Sequence, residues 1–146
     1  MRYRVLFEHI PASVAVGGLF WWFDPNPVYF FIALVFGWLV DVDHLFDYLL
    51  WVKRSCCKPS IRDFISGKYF KDSMKIYVPF HAWEWALLLV LIGIQSGGRM
   101  RYFLCATFAL MLHLIHDQLT NKPFLFSYLI SYRVYHDNRI ESFCRL

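Results

Sequence analysis

The sequence predicts an all-α integral membrane bundle of four transmembrane helices. A basic cytoplasmic loop and a C-terminal segment, either interfacial or a short fifth pass, complete it. Three observations lead there. The 146 residues are 58% hydrophobic and only 18% charged, where a soluble domain carries about 45–50% apolar and about 25% charged residues. The apolar residues collect in four runs, about 9–23, 28–52, 81–95 and 101–119. Seven of the fifteen Lys/Arg fall in one stretch: Lys53, Arg54, Lys58, Arg62, Lys68, Lys71 and Lys75. A basic loop beside apolar spans marks the cytoplasmic side.

Residues 1–146 read as a single membrane domain. A short basic start (Arg2, Arg4) precedes the first run. The small residues Ala12-Ser13-Val14-Ala15 lie inside that run rather than after it, so it reads as a retained helix and not a cleaved signal. Pro11 suits a first helical turn, and Trp21-Trp22 an interfacial belt. Asp24-Pro25-Asn26-Pro27 breaks any helix and makes a tight turn. The second run extends from Val28 to Val52. The loop after it mixes Phe64, Ile65, Tyr69 and Phe70 with its charges, as an amphipathic segment on a membrane would. The third run ends at Gln95-Ser96-Gly97-Gly98 and the fourth at Thr120-Asn121-Lys122-Pro123. With the basic loop inside, the N-terminus is inside and both short turns are outside; Arg99 and Arg101 run against the rule. The +4 net charge follows this topology, and no nucleic-acid partner is expected. Cys56, Cys57, Cys105 and Cys144 form no CxxC pair, so neither a thiolate zinc site nor a disulfide framework is indicated.

Against this background Val40-Asp41-Val42-Asp43-His44-Leu45-Phe46-Asp47 is anomalous. Each Asp at the centre of a membrane helix costs about +2.5 to +3.5 kcal/mol on insertion scales. A bound cation is the simplest compensation, because it holds carboxylates ionised and paired. Other runs carry matching residues. His9, Asp41, His81 and His113 each lie 12–14 residues from the outer end of their run, a depth of roughly 18–21 Å at 1.5 Å per residue. Helices of alternating direction thus deliver polar residues to one level, in the inner half of the bilayer. His113 and Asp117 are i, i+4, and His81 and Glu84 are i, i+3, so each pair shares a helix face. Asp41 and Asp43 are two apart and would point to opposite sides of a regular helix. Either the helix breaks between Gly37 and Asp43, or one aspartate stands behind the other ligands. His136-Asp137 reads as a solvated tail. The expected metal ligands are His9, Asp41, Asp43, His44, His81, His113 and Asp117, with Glu84 or Asp43 as general base.

These motifs resemble a family of membrane-bound, predicted metal-dependent hydrolases, some of whose bacterial members are LexA-regulated inner-membrane proteins. The family pattern has an early His, matched by His9. Its Pro-Asp-x-Asp-His stretch is matched by Val40-Asp41-Val42-Asp43-His44, with Val40 in place of Pro. Its late His-x-x-x-Asp and Leu-Thr turn are matched by His113, Asp117 and Leu119-Thr120. The third element departs. Where the family tends to have His-Arg-x-x-Thr-His-Ser, this chain has Ile76-Tyr77-Val78-Pro79-Phe80-His81-Ala82. Only the final His is kept, with Glu84, His116 or Asp47 as candidates to compensate.

Mixed His and carboxylate ligands suit one or two divalent ions, zinc or manganese foremost. The expected activity is hydrolysis of an ester or phosphoester by metal-activated water. Location at the inner leaflet favours a membrane lipid or lipid-linked substrate, whose anionic head the basic loop attracts. Oligomers are compatible with this. The rival expectation is an ion- or metal-binding, transporter-like membrane protein, since intramembrane Asp/His clusters also mark ion paths.

Overall fold

The structure, a computed structural model, describes residues 5–144, the first three by their backbone alone. The basic start at Arg2 and Arg4 lies outside the described residues. The chain is all-helical: α1 Val5–Phe23, α2 Val28–Gly37, α3 Asp43–Ser55, α4 Ile61–Ser66, α5 Lys68–Ser73, α6 Trp83–Gln95, α7 Met100–Asn121, α8 Ile130–Tyr135 and α9 Ile140–Phe143. Single 3₁₀ turns occupy Leu39–Val42 and Gly97–Arg99.

The turn Asp24-Pro25-Asn26-Pro27 folds α2 back along α1. Tyr29 Oη donates to Asp24 Oδ2 (2.7 Å), and Asn26 Nδ2 donates to Tyr102 Oη (3.0 Å), tying the turn to α7. The hairpin packs closely because Gly17 faces α2. A Cβ there would lie 2.8 Å from the Phe30 backbone. α7 packs against α1, α2 and α6. Val16, Tyr29, Ala33, Cys105 and Ala109 fill one end of this bundle, and Val40, Ala86, Leu110 and Leu114 belong to a second core beyond it. The outward faces stay apolar: Trp22, Phe23, Phe31, Leu87, Ile94 and Leu119 are all exposed.

The four apolar runs all become helices, but their lengths are unequal. Among the described residues, Gly97–Asn121 is long and apolar enough to cross a membrane. A second stretch qualifies if Val28–Gly37 and Leu39–Ser55 form one span with a 44° bend. α6 has 13 residues, roughly 20 Å at 1.5 Å per residue, short of a hydrocarbon core of about 30 Å. It begins at Trp83 rather than His81. Residues 76–82 are irregular, because Pro79 disfavours a helix before it and main-chain groups on both sides of it are bound elsewhere.

The bend in the second run is a clean break. α2 ends at Gly37, a residue about 1 kcal/mol poorer than Ala inside a helix. Trp38 leaves helical geometry (φ −128°). After one 3₁₀ turn, α3 restarts with Asp43 in its first turn and Lys53 and Arg54 in its last, charges that suit both ends of the helix dipole.

Loop and tail, read separately from the sequence, are joined in the structure. They fold together. Ile76 N donates to Asn138 O and Ile140 N to Met74 O, each at 2.9 Å, which sets Lys75 antiparallel to Arg139. Lys75 Nζ pairs with Asp137 at 3.0 Å. Trp83 N donates to Tyr128 O, and Ser127 Oγ to Phe143 O. No helix in residues 124–144 exceeds six residues, too short for a pass. The buried donors of an irregular loop need acceptors, and the tail supplies several of them.

Candidate metal centre

Five elements deliver six side chains to one point. α1 brings His9, the 3₁₀ turn Asp41, α3 His44, the 76–82 loop His81, and α7 both His113 and Asp117. All six residues are buried. The break after Gly37 explains how Asp41 and Asp43 both point inward. Asp41 turns toward the histidines, and Asp43, on the new helix, turns toward the loop.

The hydrogen bonds fix which imidazole nitrogens are free. His113 Nδ1 lies 3.0 Å from Gly37 O, and a carbonyl only accepts, so Nδ1 carries the proton. His81 Nδ1 donates to the Asp43 carboxylate (2.9 Å). Both rings therefore turn an Nε2 lone pair inward, and the two Nε2 atoms stand 2.9 Å apart. Asp41 Oδ1 is 3.3 Å from His81 Nε2 and 3.6 Å from His113 Nε2. Asp117 Oδ2 is 3.4 Å and 3.7 Å from the same two atoms. Its Oδ1 lies 3.3 Å from His9 Nε2, and His44 Nε2 lies 3.6 Å from Asp41 Oδ1. Two ligands on one tetrahedral ion at about 2.0–2.1 Å stand about 3.3 Å apart, which is the spacing seen.

The unpartnered atoms make the same point. His9 Nε2, both oxygens of Asp41, Asp117 Oδ1 and both nitrogens of His44 are buried without a hydrogen-bond partner. Such groups each cost about 1–3 kcal/mol. One extra proton between His81 and His113 would ease their contact and leave these atoms unsatisfied. A divalent cation in each group would take up one ligand atom from every one of these residues. The atoms divide into two groups, His9, Asp41, His113 and Asp117 in one and Asp41, His44 and His81 in the other. Asp41 belongs to both. This buried cluster can hold a divalent metal.

Two expected site residues do other work. Asp43 belongs to neither group. Its Oδ2 accepts from Phe80 N (2.8 Å), His81 N (3.3 Å) and His81 Nδ1, so it stands behind His81 and orients it, as carboxylates behind metal-bound histidines do. Glu84 is also outside both groups, and it does not share a helix face with His81, which precedes α6. Its Oε1 accepts from Ser131 N and Ser131 Oγ, both at 3.2 Å, and so caps the first turn of α8. Asp43 Oδ2 and Glu84 Oε1 are thus committed to structural hydrogen bonds. Glu84→Gln keeps an acceptor oxygen for Ser131 and is expected to leave metal content unchanged; metal loss on elemental analysis of that variant would return Glu84 to the site. His116 is half-exposed, 3.9 Å from Glu8.

The sequence reading missed Arg133 and gave Asp47 too little weight. Asp47 Oδ2 accepts from Tyr77 N (3.0 Å) and Val78 N (3.3 Å). Arg133 is 2% exposed, and burial pushes its guanidinium below its ordinary pKa, opposed by Asp43, Glu84 and Asp47. The spacing of Asp47, i+4 from Asp43, was a usable signal. Arg133 offered none, since its hydrogen-bond partners are carbonyls.

A cavity of about 380 Å³ opens onto the cluster. His44, His81 and Asp117 line it, with Phe70 and Lys71 of α5 and Tyr128 of the tail. Burial, together with nearby Asp117, pushes the Tyr128 phenol well above its usual range, so it stays protonated. Comparison with protein-family models, curated proteins and solved structures finds no match to this chain.

Proposed function

We propose that the chain is a membrane-embedded, metal-dependent hydrolase acting on an ester or phosphoester of a lipid or lipid-linked substrate. One observation carries the proposal: buried, unpartnered His and Asp ligand atoms converge where a cavity of ligand size reaches them. Ligand pockets run about 300–1,000 Å³. A site built only to staple helices has no use for an opening. The motif resemblance to membrane-bound metal-dependent hydrolases points the same way.

When bound, a zinc or manganese ion supplies Lewis-acid polarisation and a water acidic enough to attack at neutral pH. His9, His113 and Asp117 would hold one ion, His44 and His81 would hold a second, and Asp41 belongs to both groups. Asp117 both belongs to the cluster and lines the cavity, so it would hold the ion on the side open to substrate. Lys71 meets the anionic part of the substrate at the cavity wall. An apolar recess of about 420 Å³ between α2 and α6, with Leu39, Val40 and Phe80 among its walls, adjoins Asp41 and His81 in the chain and suits an acyl or prenyl tail.

The exposed apolar faces of α1, α2, α6 and α7 support a four-helix membrane domain, with the broken α2–α3 pair as one pass and α6 as a short one. The positive charge of the basic loop supports a cytoplasmic face for it and an inner-leaflet position for the metal site. In detergent, the purified chain is expected to carry at least one tightly held divalent ion and to cleave a member of a phosphoester and lipid-ester panel, with turnover abolished by chelation and restored by zinc or manganese. A chain purified without metal, and taking none up, would refute the proposal.

A further inference from the structure

The loop that carries His81 has an unusual set of supports. Val78 sits at φ +31°, a left-handed value that a β-branched residue adopts only under constraint. From the α3 side, Asp47 and Asp43 together accept from the main-chain N–H groups of Tyr77, Val78, Phe80 and His81. From the tail side, Arg133 Nη1 donates to Tyr77 O (2.7 Å) and Val78 O (2.9 Å), and its Nη2 donates to His81 O (3.1 Å). The guanidinium thus grips both ends of the segment Tyr77–His81 while two aspartates grip its donors. No hydrogen bond joins Arg133 to Asp43, Asp47 or Glu84 among the described contacts. Its binding energy goes into the loop backbone.

We infer that Arg133 is a positioning residue for the metal centre: it acts from the C-terminal tail, through the main chain of residues 77–81, to hold His81 Nε2 at the ligand cluster. The inference rests on the metal reading above and adds to it a dependence on the tail, a segment that contributes no ligand. Only a planar fork with several fixed donors reaches the three carbonyls at once. A lysine ammonium is a point donor on a flexible stem and reaches fewer of them. The role is separable from general stability, because it runs through a single ligand. Removing His81 should therefore abolish it.

The test is a double-mutant cycle on the full chain in detergent. After chelator stripping, zinc and cobalt(II) isotherms are measured for wild type, Arg133→Lys, Arg133→Met, His81→Ala and the double variant Arg133→Met/His81→Ala. Cobalt absorption reports the ligand set, and thermal unfolding checks that each variant is folded. Residues behind metal ligands are worth about 10–100-fold in affinity, so Arg133→Met should weaken binding by that factor and Arg133→Lys by less. In the His81→Ala background the Arg133 change should have no further effect, because the two act as one unit. Equal losses in both backgrounds, or none in either, would overturn the inference. A wild-type chain that binds neither ion overturns the metal reading itself, and the assignment of Arg133 with it; wild type alone shows that result.

Discussion

Asp41→Ala is expected to empty the metal centre entirely. Every other ligand serves one of the two groups; Asp41 serves both. Its Oδ1 stands within 3.3–3.6 Å of the Nε2 atoms of His81, His113 and His44, and neither of its oxygens has another partner. Removal leaves four buried imidazoles, His9, His44, His81 and His113, with Asp117 as the remaining central carboxylate. Loss of a direct ligand exceeds the roughly 10–100-fold that residues behind the ligands are worth, so elemental analysis of the purified variant should find no retained zinc or manganese. The fold should survive in part, because neither Asp41 oxygen makes a hydrogen bond that ties one element to another. His44→Ala should instead spare the His9–His113–Asp117 group. If Asp41→Ala keeps as much metal as His44→Ala, Asp41 is not shared and the two-position arrangement fails.

The centre was legible in sequence because charge inside an apolar run is costly and therefore informative. Counting inward from the turns placed His9, Asp41, His81 and His113 at one depth, and the fold does bring them together, His9 and His113 from helices, Asp41 from the 3₁₀ turn and His81 from the loop before α6. The two-residue spacing of Asp41 and Asp43 also required a choice between a broken helix and an indirect role. The structure shows both: the break follows Gly37, and Asp43 supports His81. Less could be read between residues 53 and 83 and after 123. The 3.6-residue period that identifies helices is absent there. Loop and tail are held by main-chain pairing, such as Ile140 N to Met74 O, which leaves no mark on residue type. Glu84 shows the corresponding error. At i+3 from His81 it fits a shared helix face, but Pro79 stands two residues before His81, and the helix starts only at Trp83.

Asp43→Ala should separate orientation from ligation. Its Oδ2 is the acceptor for three donors on the loop, Phe80 N, His81 N and His81 Nδ1. Alanine removes the side-chain acceptor of Phe80 N, leaves His81 N with Val78 O alone, and frees the ring of His81 to rotate or change tautomer, so that Nε2 no longer faces His113 as a fixed acceptor. Metal affinity should fall by about 10–100-fold, the range for a carboxylate behind a metal-bound His. Raising the free metal concentration should restore occupancy, because the ligand atoms themselves remain. In Asp41→Ala the bridging atom is gone, and excess metal should not restore two-ion binding. Asp43→Asn keeps one carbonyl oxygen for the main-chain donors or for Nδ1 and should fall between wild type and alanine. Equilibrium dialysis against graded free zinc distinguishes the cases: a shifted isotherm with unchanged saturation assigns Asp43 to orientation, and lowered saturation would make it a ligand after all.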